Sequence, residues 1–284
     1  MDAENDLGRS DRHYTHGTRI SWASTNLVSP ELRIWRMDPC WDESSPKRSI
    51  WYFGQHIYTS SDTSDSEPQL DDRPWGGGSY IGHRVEQAQG GRLDSWELQS
   101  WIIGPSSLAG DTQTWFHKIT GNSEPKGWDN QLEDEPGILV ARRASVSWGK
   151  TGGGFGADLV PSAAAVAGNI FTFGEVGLAV RTGWGVPNIL QEHFMAPRGS
   201  MPFRLYAVAG TKGRAVGWNI FLDGNLFRDS QSVEKEILVN DTYVGIHADI
   251  WRIRASFYNT WRSREFKEQD HHNEFSSVAL SVVF

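Results

Sequence analysis

The sequence predicts an all-β protein, a twelve-stranded antiparallel transmembrane barrel with one short helix inserted between its fifth and sixth strands. The first observation behind this is a strict period of two. Near the C-terminus Val278, Leu280, Val282 and Phe284 fall on one face, while Ser277, Ala279 and Ser281 fall on the other. Val244, Ile246, Ala248 and Ile250 likewise oppose Tyr243, His247 and Asp249, and Val176, Leu178, Val180 and Trp184 oppose Glu175 and Arg181. A soluble sandwich would put the charged face in water. A membrane barrel puts the apolar face in lipid and gives the lumen the Glu, Arg, Asp and Gly. The second observation is tryptophan near the segment ends, at Trp22, Trp51, Trp148, Trp184 and Trp251, where an amphipathic ring suits a lipid–water boundary. The third is segment length, roughly 10 to 14 residues, which suffices for the ~9–11 tilted residues that cross the hydrocarbon layer.

Composition agrees. The 284 residues include 14 tryptophans and carry a formal charge of −8, and an acidic balance without a basic cluster excludes nucleic acid as a partner. Apolar runs such as Ile138–Ala141 are far short of the ~20 residues of a spanning helix. Cys40 stands alone, so there is no intrachain disulfide framework. "MDAENDLGRSDRHYTHG" starts on polar residues, so export implies a signal peptide already removed and Met1 added in its place.

The strands are read in order as Met1–Asp6, Arg12–Thr25, Ser49–Ser60, Gly77–Gly90, Arg92–Gly104, Gly137–Gly149, Phe155–Ala167, Ile170–Trp184, Phe203–Leu222, Leu238–Ile250, Arg252–Glu265 and Glu274–Phe284. An even count suits a closed bacterial barrel, in which no backbone edge is left unpaired in lipid. The chain is read as one domain, residues 1–284, and Ser60–Ser66 as a flexible loop. With both termini periplasmic, the connection Pro105–Pro136 faces the cell exterior.

That connection reads as a helix. Ser106 or Ser107 is the expected N-cap, Asp111 favours the positive dipole end, and Gly121 marks the C-terminal stop. Gln113 and His117, four residues apart, share one face. Trp115, Phe116 and Ile119 are expected to pin the helix to the barrel rim. One histidine on a helix is a weak signal, and a helical plug would show the same pattern.

Several stretches carry a resemblance: "ENDLGRSDRHYTHG" (Glu4–Gly17), "GQHIYTSSDT" (Gly54–Thr63), "DDRPWGG" (Asp71–Gly77), "GPSSLAGDTQTWFHKITGNSEPKGWDNQLEDEP" (Gly104–Pro136) and "FLDGNLFRDS" (Phe221–Ser230). From Glu4 to Phe284 the chain resembles the lipid A deacylase family, the outer-membrane 3′-O-deacylases of Gram-negative bacteria. The resemblance implies a monomeric outer-membrane barrel acting on lipid A or lipopolysaccharide in the bilayer. It also implies a calcium-dependent hydrolase site between the barrel wall and the extracellular helix. Carried over by motif, His117 is the catalytic histidine, Gln113 the glutamine one turn before it, and Thr15 the hydroxyl at the top of the second strand. Asn5 and Asp6 match the family's Asn-Asp and would bind Ca²⁺, with Glu124, or Ser123 at that spacing, after the helix. The family's lysine in the loop after the third strand has no match, since Ser60 to Leu70 contains none.

The residue types suit ester hydrolysis in their own right. Imidazole serves as general base near neutral pH, and oxygen ligands suit a hard Ca²⁺ that polarises a carbonyl. No serine is needed, which places the scheme nearer to phospholipase A2 than to a serine triad. Each residue also has an ordinary use: Asn-Asp ends strands and makes turns, Thr15 suits a strand, and His13, His16, His271 and His272 lack a metal-ligand spacing. "RPWGGG" (Arg73–Gly78) lacks the Lys-Ser/Thr of a phosphate loop and reads as a barrel turn. Arg142 and Arg143 face either lipid phosphates or the lumen. Two other readings stand beside the deacylase: an outer-membrane phospholipase, which would need a serine next to a histidine, and a non-enzymatic porin or adhesion barrel.

Overall fold

The computed structural model describes residues 2–4, 13–24, 42, 44–188 and 201–282. Asn5, Asp6, Cys40 and Phe284 lie outside the described residues. The strands are β1 (Asp2–Glu4), β2 (His13–Ser24), β3 (Lys47–Thr59), β4 (Gly76–Gln89), β5 (Arg92–Ile103), β6 (Glu135–Val146), β7 (Trp148–Lys150), β8 (Phe155–Gly168), β9 (Phe171–Trp184), β10 (Met201–Asn219), β11 (Leu238–Trp251), β12 (Ile253–Arg262) and β13 (Asn273–Val282). Apart from β6 and β7, which both pair with β8, each strand pairs antiparallel with its sequence neighbours, and β1 joins β2 to β13, so the sheet closes on itself. β6 and β7 are one stave interrupted at Ser147, which leaves the twelve antiparallel staves the periodicity predicts. At the break Ser147 N–H donates to the Gly91 carbonyl (2.9 Å) and its Oγ to Asp158 (2.5 Å), drawing this residue out of the ladder.

Alternation works in the membrane sense. Val176, Leu178, Val180, Trp184, Val244, Ile246 and Ile250 are exposed on the outer wall with Trp22, Trp51, Phe53 and Ile81. The opposite faces fill the lumen with ion pairs such as Arg84–Glu97 (2.7 Å), Arg181–Asp158 (2.5 Å) and Arg262–Asp241 (2.8 Å). A charge inside the barrel needs a partner because no bulk water solvates it. Arg143 lines the lumen within 3.7 Å of Glu97, whereas Arg142 pairs with Asp94 at 2.6 Å and lies over the Trp96 ring.

At the end of the barrel that carries the β5–β6 insert, aromatic side chains fill the lumen. Tyr80 stacks on Trp101 at 4.3 Å and Phe221 lies 4.2 Å from Tyr58. The ninth predicted strand, Phe203–Leu222, therefore needs correcting at its end: β10 stops at Asn219 and α2 (Ile220–Asp223) follows. Asn219 caps α2 by accepting from Phe221 N–H (3.1 Å). Ile220, Phe221 and Leu222 are all buried in this helical turn. Asn225 then ties this loop to the β5–β6 insert, accepting from Glu133 N–H (2.9 Å), while Leu226 N–H donates to Glu135 (2.9 Å).

At the rim, His13 Nε2 donates to Asp72 (3.0 Å) and buried Arg73 pairs with Glu265 (2.7 Å). Burial pushes the Asp72 carboxyl up, but hydrogen bonds from His13 and Ser61 outweigh it and hold the group well below the usual carboxylate range. A depressed folded-state value adds stability above the unfolded value of ~3.9, and that stability is lost as pH falls through the folded value. Asp72→Asn is therefore expected to lower unfolding stability at pH 7 by about 1–3 kcal/mol. In urea titrations the gap from the parent should narrow as pH falls below ~3.9; a gap independent of pH would remove the ionised latch.

Candidate active site

The site is built on the outside of the barrel, which strand parity shows. On β3, Tyr52 and Tyr58 belong to the lumenal core, while Trp51 and Phe53 are exposed on the outer wall. Gln55, Ile57 and Thr59 continue that outer face, yet Ile57 and Thr59 are 1% and 0% exposed. Helix α1 (Ala109–Thr120) packs against this part of β3 and β4. On β4, Gly77 is outward by the same parity, and a Cβ there would sit 2.0 Å from the Ala109 Cβ, so glycine is what lets the helix lie on the wall. The Ser107 carbonyl accepts from Gln55 Nε2 (2.9 Å) and Ser79 Oγ (2.7 Å), fastening the start of the helix to both strands.

The helix termini agree with the sequence at one end and correct it at the other. Gly121 closes α1 in the left-handed region at φ 74°, and Asp111 lies in the first turn. The N-cap is Leu108 rather than Ser106 or Ser107. Both serines are engaged elsewhere: Ser106 donates through N–H and Oγ to Asp134 (2.7 Å each), and Ser107 Oγ donates to the Gly104 carbonyl (2.6 Å).

The buried face of α1 is Ala109, Gln113 and His117. Trp115, Phe116 and Ile119 are 63%, 40% and 63% exposed and with Leu108 form an apolar stripe; Trp115 and Ile119 do not pin the helix to the rim, and only the edge of the stripe at Phe116 reaches the wall, beside His16. In a membrane setting an apolar stripe needs no protein partner, because lipid serves in its place.

His117 Nδ1 donates to the Ser123 carbonyl at 2.6 Å. That bond places the proton of the neutral ring on Nδ1 and the lone pair on Nε2, the form a general base requires. Of the two residues considered after the helix, Ser123 touches the histidine through its backbone, while Glu124 is exposed with its carboxylate in solvent. Gln113 Oε1 accepts from the Trp128 indole N–H (2.8 Å), and Gln113 Nε2 is buried with no partner among the described residues.

Thr15 sits at an irregularity in β2, between Tyr14 and His16, that turns its side chain to the outer face beside Thr59 (Oγ1 to Oγ1, 2.8 Å). The ring of Phe116 lies 6.4 Å from that of His16, so the residues adjoining His117 and Thr15 meet on one flank. β1 ends with Glu4 opposite Gly17, at the same end of β2. Asn5 and Asp6 follow outside the described residues. The described residues hold no cluster of three or more His, Cys, Asp or Glu in metal-binding array, so the calcium reading rests on the chemistry of Asn5, Asp6 and Glu124, whose oxygens suit a hard cation.

The family model of outer membrane protein LpxR matches residues 1–284. The chain belongs to the LpxR family of outer membrane proteins. Its fold is similar to a solved structure, LpxR from Salmonella typhimurium, with a TM-score of 0.81 at 18% sequence identity, covering 100% of this chain and 98% of that one. No curated protein matches the chain. Membership in LpxR and the barrel together place the protein in the bacterial outer membrane.

The structure also brings together a pair that the sequence conceals. Ser256 Oγ lies 2.8 Å from His247 Nδ1, because β11 and β12 pair His247 directly with Ser256. A serine–histidine contact of the kind a phospholipase would need therefore exists inside the lumen. Tyr206 stacks on the imidazole at 4.8 Å and Tyr258 hydrogen-bonds its other nitrogen. That pair faces away from bilayer esters; a second contact, Ser49 Oγ to His83 Nε2 (2.8 Å), lies on the outer face of β3 and β4, far along β3 from Ile57 beneath α1.

Proposed function

We propose that the protein hydrolyses the 3′-linked acyl ester of lipid A in the outer leaflet, as a monomer. The observation that carries the reading is the helix-borne His117, oriented through Nδ1 and held against a polar patch on the lipid-facing wall. Outward positions of a barrel are ordinarily apolar; here Gln55 and Ser79 fasten the start of α1, and Thr15 and Thr59 pair with each other, so the wall beneath the helix is polar where His117 meets it. Family membership supports the same reading.

In the mechanism, His117 Nε2 accepts a proton from the attacking water and returns it to the departing sugar oxygen. The ring's Nδ1–H to Ser123 stabilises the imidazolium formed in between. Gln113 presents Nε2–H to the carbonyl oxygen that becomes an oxyanion. Thr15 orients the water or ester from the wall side, and the stripe Leu108, Trp115, Phe116 and Ile119 lies among the acyl chains of the leaflet. Asn5, Asp6 and Glu124 would hold Ca²⁺, which when bound supplies Lewis-acid polarisation of the ester carbonyl. A porin is disfavoured by the closed lumen, whose cavity measures ≈ 260 Å³ among aromatic and ion-paired side chains.

Mass spectrometry of hexa-acylated lipid A incubated with the purified barrel tests the proposal. Loss of the 3′-linked acyl mass, with phospholipid left intact, is the expected result. Phospholipid cleavage with lipid A unchanged would select the phospholipase reading instead.

A further inference from the structure

Indole N–H is a donor and never an acceptor, so whatever it binds must present a lone pair. Trp128 Nε1 binds Gln113 at 2.8 Å, and this fixes which end of the amide it meets: Oε1 toward Trp128, Nε2 away from it. Gln113 is 3% exposed and its Nε2 has no hydrogen-bond partner among the described residues. Burying an amide N–H without a partner is costly, so such a group calls for an explanation, and a ligand is one.

The indole is itself held. Trp75, 2% exposed, meets Trp128 edge-on at 5.2 Å, and its carbonyl accepts from Leu132 N–H (2.8 Å). Two glycines make room for the pair: a Cβ at Gly127 would come within 2.2 Å of Trp75, and one at Gly110 within 3.0 Å of Trp128. The stretches "DDRPWGG" and "KGWDN", which the catalytic reading left unused, thus build one aromatic bracket behind α1.

We infer that Trp128 is a positioning residue that locks the Gln113 amide with its N–H₂ toward the catalytic cleft, making the site a recogniser of acceptor oxygens. Without the indole N–H the amide is free to turn over and present Oε1, which repels a developing oxyanion. The kinetic part rests on the hydrolase reading above, whereas the hydrogen bond does not.

The test therefore has two arms. In micelles, with ¹⁵N at the tryptophan indoles, the Trp128 resonance is assigned by its loss in Trp128→Phe, and Gln113→Leu should move it upfield. An unmoved resonance overturns the inference whether or not the protein hydrolyses lipid A. In the kinetic arm, Gln113→Leu should lower kcat by ~10²–10³-fold, the range for losing one oxyanion donor. Trp128→Phe should lower kcat by roughly tenfold with KM unchanged, the worth of one hydrogen bond. Trp128→His, which keeps a ring N–H, should recover part of that loss, and the Trp128→Phe/Gln113→Leu double variant should be no worse than Gln113→Leu alone. Additive losses, or no recovery with histidine, would make Trp128 a packing residue only. If lipid A is untouched by the parent protein, the hydrolase reading fails alone and the resonance still decides the orientation.

Discussion

His117→Ala is expected to lower lipid A ester hydrolysis by ~10²–10⁴-fold, the usual contribution of a positioned general base. The barrel should remain folded and heat-modifiable on gels. The reason lies in placement. A strand side chain points either into the lumen or into lipid, and neither direction suspends a base above an ester held in the leaflet. α1 supplies a third direction, lying on the outer wall at Gly77 and directing His117 back toward it. The residue lies outside the strand ladder, so its loss breaks no inter-strand hydrogen bond. The nearest structural cost is the bond to the Ser123 carbonyl. A calcium-loaded His117→Ala protein that releases 3′-linked acyl chains at the parent rate would make the histidine a bystander.

Trp115→Ala, by contrast, should leave helix docking intact, because Trp115 is exposed rather than packed on the wall. Helical periodicity shows that Gln113 and His117 share a face, and that Trp115 and Ile119 share another. It does not tell which face meets the barrel. In a soluble protein the apolar stripe would be the docking face; beside a bilayer the rule inverts, and the small and polar residues Ala109, Gln113 and His117 lie against the wall.

The strands were legible for the related reason that lipid and lumen impose opposite chemistries on successive residues, as along Glu175–Trp184 and Tyr243–Ile250. Their interruptions were not. The break at Ser147 depends on Asp158, eleven residues away across a hairpin, and the turn into α2 depends on a cap by Asn219 and on aromatic partners in β3. Residues that meet only through register or loop packing leave no local signal. Ser256 reaches His247 across a strand pair, and Trp128 reaches Gln113 from a separate turn. The aromatic bracket had a trace in the sequence, since Trp75 and Trp128 each neighbour a glycine, but that pattern acquires meaning only once the helix is in place.

Removing divalent cations is expected to abolish hydrolysis altogether, and added Ca²⁺ to restore it. The ligands proposed are carboxylate and amide oxygens, Asp6, Asn5 and Glu124, a set suited to a hard ion and poor in the nitrogen and sulfur donors that favour zinc. Their chain position fits a role beside His117. β1 is clasped on both sides, Glu4 opposite Gly17 of β2 and Ser277 of β13, so Glu4, which Asn5 and Asp6 follow in sequence, lies near the end of β2 that carries Thr15. Asp6→Ala removes the one full negative charge of the Asn-Asp pair, and should raise the calcium requirement by at least tenfold or eliminate activity, while Glu124→Ala, at an exposed position, should do less. Terbium luminescence sensitised by the protein's aromatic residues gives a readout independent of turnover. Terbium should bind the parent barrel, be displaced by Ca²⁺, and bind Asp6→Ala more weakly. Full activity in excess EDTA, or identical terbium binding by parent and Asp6→Ala, would discard Asp6 as a calcium ligand and leave His117 and Gln113 to carry the ester chemistry without it.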